Sequence, residues 1–483
     1  MRRERELEWA ICVYLVLVAS LAYVAFRDWA YDDPFITFRY ADNLRSGLGF
    51  VYNANERVLS TTAPLYALLL AGLGLVWQDL PSRSNLISAL SLALGGFFLY
   101  IIGRRWQEPL AGLVATVLYP VFPLMVNTFG AETCFYAMLI LGAFALHAGE
   151  QHYGAMALLA LATLTRSDGL VAGLVLGADL LITQRRVPWG PALLFAALIA
   201  PWYLFAWTYF GSPLPATLAA KQQQAQMAIS QGFAPGFLSL ISGYAEEPFY
   251  WLHGALAVAG IFFSALRNRR WLPFLCWGVV YFVSYTLLRV SRYFWYYAPL
   301  IPVILSAVGL GLAAVKHWLP PEVIQGWRRW AVLPVVLPVM LLLLLYPQAE
   351  GLRHSYHHPD QRAAIYEAVG TWLAENAPPD ATIATLEVGI IGYYAERRMV
   401  GFAGLIQPEI AQRLSRETMY REAAAWAIET YRPDYLVLDP RWFPGLIGDE
   451  IGQTGEPVKS FDGARYGYDG DIVVYDSSEA RAR

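Results

Sequence analysis

The sequence predicts an α-helical polytopic membrane protein of about eleven transmembrane helices with interfacial helices, followed by a C-terminal extracytoplasmic α/β domain. Three observations predict it. Of 483 residues, 57% are hydrophobic and only 15% are charged, against roughly 25% charged in soluble domains. Apolar runs recur from residue 9 to residue 347. Beyond Tyr346-Pro347 that pattern stops, and residues 348–483 bring in Asp360, Glu367, Glu375 and many arginines. The formal net charge is −3 and there is no Lys/Arg-rich tract, which removes nucleic acid from the candidate partners. Cys12, Cys134 and Cys276 all lie in apolar segments and read as small hydrophobes, not as a disulfide framework.

The start, Met1-Arg2-Arg3-Glu4-Arg5 ahead of an apolar run from Trp9, is shaped like a signal peptide. No small-x-small cleavage site stands cleanly before Asp32-Asp33, so a retained first span is expected. Apolar segments follow near 62–78, 85–103, 109–126, 131–147, 153–165, 168–183, 189–210, 248–266, 271–288, 293–315 and 329–347. Charge then sets the topology. With the N-terminus cytoplasmic and 62–78 lying along the membrane surface, the loops bearing Arg104-Arg105, Arg185-Arg186, Arg267/Arg269/Arg270 and Lys316/Arg328/Arg329 all fall inside, as the positive-inside rule requires. Letting 62–78 cross would invert that balance, so it reads as an interfacial helix opened by Pro64.

Two long outer stretches result. Residues 27–84 form the first external loop, with the turn-rich Ser46-Gly47-Leu48-Gly49 and Asn53-Ala54-Asn55-Glu56, and 211–247 form the second. The last part, 348–483, reads as a soluble α/β domain of ordinary size. It has a helix at about 360–376, strands at Thr382–Glu387 and Tyr435–Asp439, a helix at about 416–431 between them, and a final strand pair near 456–475. No internal repeat is visible, nor the mirrored halves found in many transporters.

Chemistry concentrates in Tyr31-Asp32-Asp33-Pro34-Phe35-Ile36-Thr37-Phe38-Arg39-Tyr40. Two adjacent carboxylates at the exit of a membrane span cost several kcal/mol unless paired or wetted, so they mark a polar cavity at the membrane surface. Pro34 to Leu44 reads as a helix, which places the pair at its N-terminus, where the macrodipole favours negative charge; simple capping is the plain alternative. Glu132 in Gly130-Ala131-Glu132-Thr133, Lys221, and Arg289 with Arg292 fall on the same outer face. Carboxylates and cations together suit a reaction in which a hydroxyl loses a proton to a base while a phosphate leaves.

At these residues the chain resembles a known family. Asp32 to Tyr40, followed by Gly47-Leu48-Gly49-Phe50-Val51-Tyr52-Asn53 and Glu56-Arg57-Val58, resembles the first external loop of GT-C glycosyltransferases. The likeness is to bacterial relatives of the mycobacterial arabinofuranosyltransferases and, more distantly, to the lipid A aminoarabinose transferase and the protein O-mannosyltransferases. Gly130-Ala131-Glu132-Thr133 resembles the family's Gly-Met-Glu-Thr, Thr165-Arg166-Ser167-Asp168-Gly169 its Thr-Arg-Pro-Glu-Gly, and Ser212-Pro213-Leu214-Pro215 to Lys221 its Ser-Pro-Leu-Pro-Asn-Thr to Lys. The match covers roughly residues 10–310, and it is specific as a set. Departures are Ala131 for Met, Ser167-Asp168 for Pro-Glu, and Leu59-Ser60-Thr61-Thr62 where many relatives have Glu-Gly-Tyr-Thr.

The resemblance implies a transmembrane catalytic module over 1–347 that moves a sugar from a polyprenyl-phosphate donor to a glycan, lipid or protein acceptor outside the cell membrane, inverting the anomeric carbon in one displacement. It implies that Asp33 or Asp32 is the base and Glu132 the second carboxylate. Lys221, Arg292 and Arg166 would hold the donor phosphate, with Arg39, Tyr40 and Thr62 touching substrate. No cofactor is implied with certainty, and a divalent metal is left open without named ligands. Plain readings stand beside these. Glu132 also suits a helix cap, Lys221 a solvated loop residue, and Arg292 an interfacial anchor in the aromatic belt of Tyr293, Trp295, Tyr296 and Tyr297. His354, His357 and His358 read as wet surface rather than a metal site, and Gly389-x-x-Gly392 before Tyr393-Tyr394 as strand-loop geometry. The rival functions are a transporter or flippase of lipid-linked saccharides, against which nearly acid-free spans argue, and a ligase of whole lipid-linked glycans.

Overall fold

The computed structural model describes residues 2–318, 332–443, 446 and 456–477; Arg328, Arg329 and the Lys316 side chain lie outside that description. Among the described residues, seven helices are long and apolar enough to cross a membrane. They include Arg2–Phe26, Leu80–Arg105, Trp189–Phe210, Phe249–Leu266, Leu272–Leu288, Ile301–Trp318 and Val332–His357. The chain is a multi-pass membrane protein. Four other expected spans fold as shorter helices: Pro109–Leu118, Thr133–Ala148, His152–Thr165 and Gly169–Gln184, of 10 to 16 residues. At 1.5 Å per residue these extend about 15–24 Å, short of a ~30 Å hydrocarbon core. Local sequence explains the shortening. Tyr119-Pro120 ends the first in a 3-10 turn, the second starts only after Gly130 turns the chain at φ +88°, and the last two are separated by the break at Arg166-Ser167-Asp168.

The 62–78 run folds as the 11-residue helix Pro64–Gly74, about 16 Å long and too short to cross. The stretch read as the loop 211–247 contains two helices, Thr217–Gln224 and Phe233–Ala245. The centre of the bundle is packed backbone to backbone. A Cβ on Gly260 would lie 1.9 Å from the Ala307 carbonyl oxygen, and one on Gly311 2.0 Å from that of Leu256, so only hydrogen fits at this crossing.

In the C-terminal region Val332–His357 continues through Pro347 as one helix, past the expected boundary. Arg362–Asn376 starts where Asp360 accepts from the Arg362 N–H at 3.0 Å. Five strands follow: β1 Thr382–Thr385, β2 Arg398–Gly401, β3 Tyr435–Leu438, β4 Glu456–Phe461 and β5 Ile472–Asp476. Their order is β2-β1-β3-β5-β4; β1 runs parallel to β2 and β3, while β5 is antiparallel to β3 and β4. β2 is absent from the sequence reading because Arg-Met-Val-Gly is too short to alternate. The helix expected at 416–431 begins only at Arg421.

This sheet region does not stand apart from the membrane helices. Phe35, Ile36, Phe38 and Tyr40 from the Asp32–Arg45 helix share one apolar core with Ile365, Val388, Ile390, Ile391 and Ile406. Around that core, Asn53 exchanges two hydrogen bonds with the Met399 backbone at 2.9 and 3.0 Å. Arg39 donates to the carbonyls of Tyr52, at 2.9 Å, and of Gly392 and Arg397. Gly389 and Gly392 serve this joint: a Cβ at either would strike the Asp32 carbonyl at 1.9 Å or the Tyr52 hydroxyl at 2.0 Å.

Candidate functional site

The first turn of the Asp32–Arg45 helix sends its two carboxylates opposite ways. Asp33 Oδ2 accepts from Lys221 Nζ at 3.0 Å, and Lys221 reaches it from the Thr217–Gln224 helix. The lysine is nearly enclosed, at 7% side-chain exposure, while Asp33 keeps 32%. The Tyr293 ring centroid lies 3.8 Å from the ammonium, a cation–π contact that holds the charge without consuming a hydrogen bond. Burial pulls the Lys221 pKa down, but the Asp33 carboxylate outweighs it and leaves the group above the ordinary lysine value, hence charged.

Asp32 is 5% exposed, and its two oxygens accept from the backbone N–H groups of Gly389 and Ile390 at 2.9 and 2.8 Å. Burial raises its pKa well above the ordinary carboxylate range and the Glu387 charge adds to this; the two N–H donors offset only part. Asp32 therefore faces the α/β joint. Its expected equivalence with Asp33 does not hold in the structure.

A second cluster lines the same cavity as Asp33. Arg166, at the break between two short helices, donates to Asp168 at 2.9 Å, to Glu132 at 3.3 Å and to the Tyr285 hydroxyl at 2.9 Å. The Tyr285 hydroxyl donates in turn to Asp168. Burial lowers the Arg166 pKa but Asp168 and the neighbouring tyrosines more than restore it, well above the usual arginine value. Glu132 sits immediately before the Thr133–Ala148 helix and makes no side-chain cap bond there, so its carboxylate is spent on Arg166 rather than on the helix.

Asp33, Thr62, Glu132, Arg166 and Lys221 all line one cavity of about 320 Å³. Leu170, Leu174, Leu214, Leu218 and Leu288 form its other wall, and Leu174 there is 64% exposed. The site thus has a charged head and an apolar side open to the outside of the protein, the shape that suits an amphipathic ligand with an anionic end.

Besides Asp32, three expected site residues lie elsewhere. Arg292 is exposed, donates to Gln231 at 3.1 Å and is not part of the cavity lining. Arg39 and Tyr40 are buried in the joint, Arg39 on backbone carbonyls and the Tyr40 hydroxyl on the Val58 carbonyl. Their position in the charged motif hid this, because a buried arginine with three carbonyl acceptors looks in sequence like any cation in a loop. Conversely, Trp295 and Tyr296, read as an aromatic belt, line the cavity, and Trp295 stacks on Tyr31 at 5.4 Å between centroids. The Tyr31 hydroxyl, on the same wall, is buried without a hydrogen-bond partner among the described residues. Tyr285 carried no signal, sitting inside an apolar run. Among the described residues no three His, Cys, Asp or Glu side chains gather into a metal-ligating group; the His354 and His358 rings stack at 4.4 Å on an exposed helix end.

Comparison with known proteins follows this geometry. A family model described as a domain of unknown function, DUF8728, matches residues 354–475. No curated protein matches the sequence. Among solved structures, ArnT from Cupriavidus metallidurans in the apo state is 17% identical with a TM-score of 0.65, covering 99% of each chain. The same protein bound to undecaprenyl phosphate gives 16% identity and 0.62, covering 97% of this chain and 98% of ArnT. The archaeal oligosaccharyltransferase AglB from Archaeoglobus fulgidus, in complex with an inhibitory peptide and a dolichol-phosphate, gives 15% and 0.57 over 98% of this chain and 75% of its own. At such identities the likeness establishes the architecture: a helical fold like those of ArnT and AglB, carrying a small C-terminal sheet domain.

Proposed function

We propose that this protein is a glycosyltransferase that moves a sugar from a polyprenyl-phosphate carrier to an acceptor hydroxyl, with Asp33 as general base. The observation that carries this reading is the Asp33–Lys221 ion pair at the head of a cavity whose side wall is apolar and open. A lipid phosphate matches that division, its chain along Leu170, Leu174 and Leu288 and its anionic head against Lys221. The undecaprenyl phosphate and dolichol-phosphate in the two similar structures support the same class of ligand.

The step is a single displacement. The acceptor oxygen attacks the anomeric carbon from the side opposite the phosphate, its proton passes to Asp33, and the bond from the anomeric carbon to the phosphate oxygen breaks. Lys221 then changes partner, leaving Asp33 free to take the proton and placing its charge on the departing phosphate, where a preorganised cation contributes most. Arg166 is already held by Glu132 and Asp168, so it adds a fixed positive field and offsets part of the upward pull of burial on the Glu132 carboxyl, which faces the positive charge that builds on the sugar ring. The unpartnered Tyr31 hydroxyl and the Trp295 ring supply a polar contact and a flat face for that sugar. The likeness of residues 32–58 to arabinofuranosyltransferases keeps pentosyl donors in the class beside hexosyl ones.

The ends of the helices support a sidedness as well. Arg104 pairs with Glu8 and, at 4.0 Å, with Glu4, so the start of the first helix and the Arg104-Arg105 loop share one end of the bundle. Basic residues at that end support a cytoplasmic N-terminus, with the cavity and the α/β region on the extracytoplasmic side. Purified protein incubated with a panel of polyprenyl-phosphate sugars and candidate acceptors, with products read by mass spectrometry, tests the reading. Transfer that is lost in Asp33→Asn supports it. No product from any donor, or full transfer by Asp33→Asn, removes it.

A further inference from the structure

The α/β region has its own cavity, of about 590 Å³, at the carboxyl ends of β1 and β3. Topology puts it there. β1 leads through the Ile390–Ala395 helix to β2 on one side, while β3 lies on the other side of β1 and leads on to β4 and β5. Neighbouring parallel strands whose chains depart in opposite directions open a crevice beyond their carboxyl ends, the usual ligand position of open α/β sheets. Glu387 follows β1 into this crevice, and Asp439 and Arg441 follow β3.

The charges there are already matched. Arg362 donates to Asp360 at 2.7 and 3.0 Å and to Glu387 at 3.3 Å. Arg441 forks onto Asp439 at 2.7 and 3.0 Å, and the Tyr468 hydroxyl donates to the same carboxylate at 2.8 Å. With Asp469 on the rim, the described lining holds three carboxylates against two guanidiniums, which repels an anion. Rings make up much of the rest: Tyr366, Tyr420, Tyr468 and Trp442, the last 44% exposed. Flat rings beside paired ions suit a polyhydroxylated, uncharged molecule, whose C–H face rests on the rings while its hydroxyls exchange bonds with carboxylate and guanidinium.

Glu387 stands just before Gly389, whose N–H donates to Asp32 at 2.9 Å beside Asp33, and it is close enough for Asp33 and Lys221 to act on its charge. Tyr420, on the same crevice, is likewise within electrostatic reach of Lys221 and Asp33. We infer that the crevice is a saccharide subsite that holds an uncharged glycan acceptor with its reactive end toward Asp33; as an acceptor site, it rests on the transferase reading above.

The test uses the full chain in lipid nanodiscs and saturation-transfer difference NMR, which reads binding without turnover. The probes are neutral di- to tetrasaccharides of glucose, mannose, galactose and arabinose, with trigalacturonate as the anionic comparison. At least one neutral saccharide is expected to bind saturably, at least tenfold more tightly than trigalacturonate. Trp442→Ala weakens that binding tenfold or more, Trp442→Phe recovers most of it, and Asp469→Arg narrows the preference over trigalacturonate at least fivefold. Absence of saturable binding, an anion bound as well as the neutral probes, or unchanged binding in Trp442→Ala overturns the subsite. The two failures separate: an incorrect transferase reading leaves saccharide binding standing, and an incorrect subsite leaves transfer sensitive to Asp33→Asn.

Discussion

Asp32 and Asp33 occupy successive positions of one helical turn, about 100° apart around its axis, and they end in two unlike regions. Asp33 opens onto a cavity and is held by the single flexible donor Lys221. Asp32 is sealed in the joint, each oxygen fixed by a backbone N–H of the α/β region. A carboxylate held by one movable cation can exchange that partner for a substrate proton at small cost. One held by two rigid peptide donors cannot be released without parting the joint. On the proposed reading, identical chemistry at adjacent positions is divided into reaction and adhesion by what the rest of the chain brings to each side.

The contrast can be broken most directly at Asp33. Asp33→Asn keeps an acceptor for Lys221, so folding and membrane insertion persist while transfer falls by about 10³-fold or more, within the ~10²–10⁴ range of general-base catalysis; product formation over hours measures it. The same change at the neighbouring position acts on stability instead of turnover. Asp32→Ala leaves two buried N–H groups without acceptors, at about 2–4 kcal/mol, seen as a lower unfolding midpoint and as new protease cuts near 386–400. Retained stability in Asp32→Ala would erase the division drawn here.

Smaller effects sharpen it. Lys221→Ala removes one charge-assisted contact, worth about 1.5–3 kcal/mol, and raises the KM for the lipid donor more than that for the acceptor. Steady-state kinetics with each substrate varied in turn will show the split. The least effect is on pH. Burial raises the pKa values of both Asp32 and Glu387, the Glu387 charge adding to it at Asp32 and the Asp33 charge at Glu387, so the folded protein binds protons that the unfolded chain releases. Stability therefore increases as pH falls from neutral through the raised values toward the ordinary carboxylate pKa near 4. Asp32→Asn flattens that slope in thermal unfolding measured between pH 7 and pH 5.

Much of the architecture was readable because membrane helices announce themselves by unbroken apolar runs, and Leu80–Arg105 and Trp189–Phe210 do so plainly. Phe233–Ala245 did not: Gly236, Ser239 and Gly243 dilute its apolar content inside a stretch that otherwise reads as loop. For the site, Asp33, Glu132, Arg166 and Lys221 stood out as charges beside spans, and the structure gathers them at one cavity. What sequence cannot express is the partner. Arg39 and Arg292 look alike as cations near aromatic residues, yet one binds backbone carbonyls in a buried joint and the other sits exposed on Gln231. The crevice of the sheet was hidden for the same reason, since strand order is settled by pairing over dozens of residues and β2 is too short to be noticed.

The joint between the Asp32–Arg45 helix and the sheet region also constrains how the molecule is made. Asp32 and Ile390, which it binds, are 358 positions apart in the chain, so at a synthesis rate of roughly 5–20 residues per second the helix waits about 20–70 s for its counterpart. Throughout that interval Phe35 and Phe38 lack the Tyr393 ring that packs on both, although Tyr40 already has Phe50 and Tyr52 against it. A ribosome that stalls or a message cut short before codon 390 delivers a membrane-anchored fragment with a sticky face, which marks it for capture by quality-control proteases.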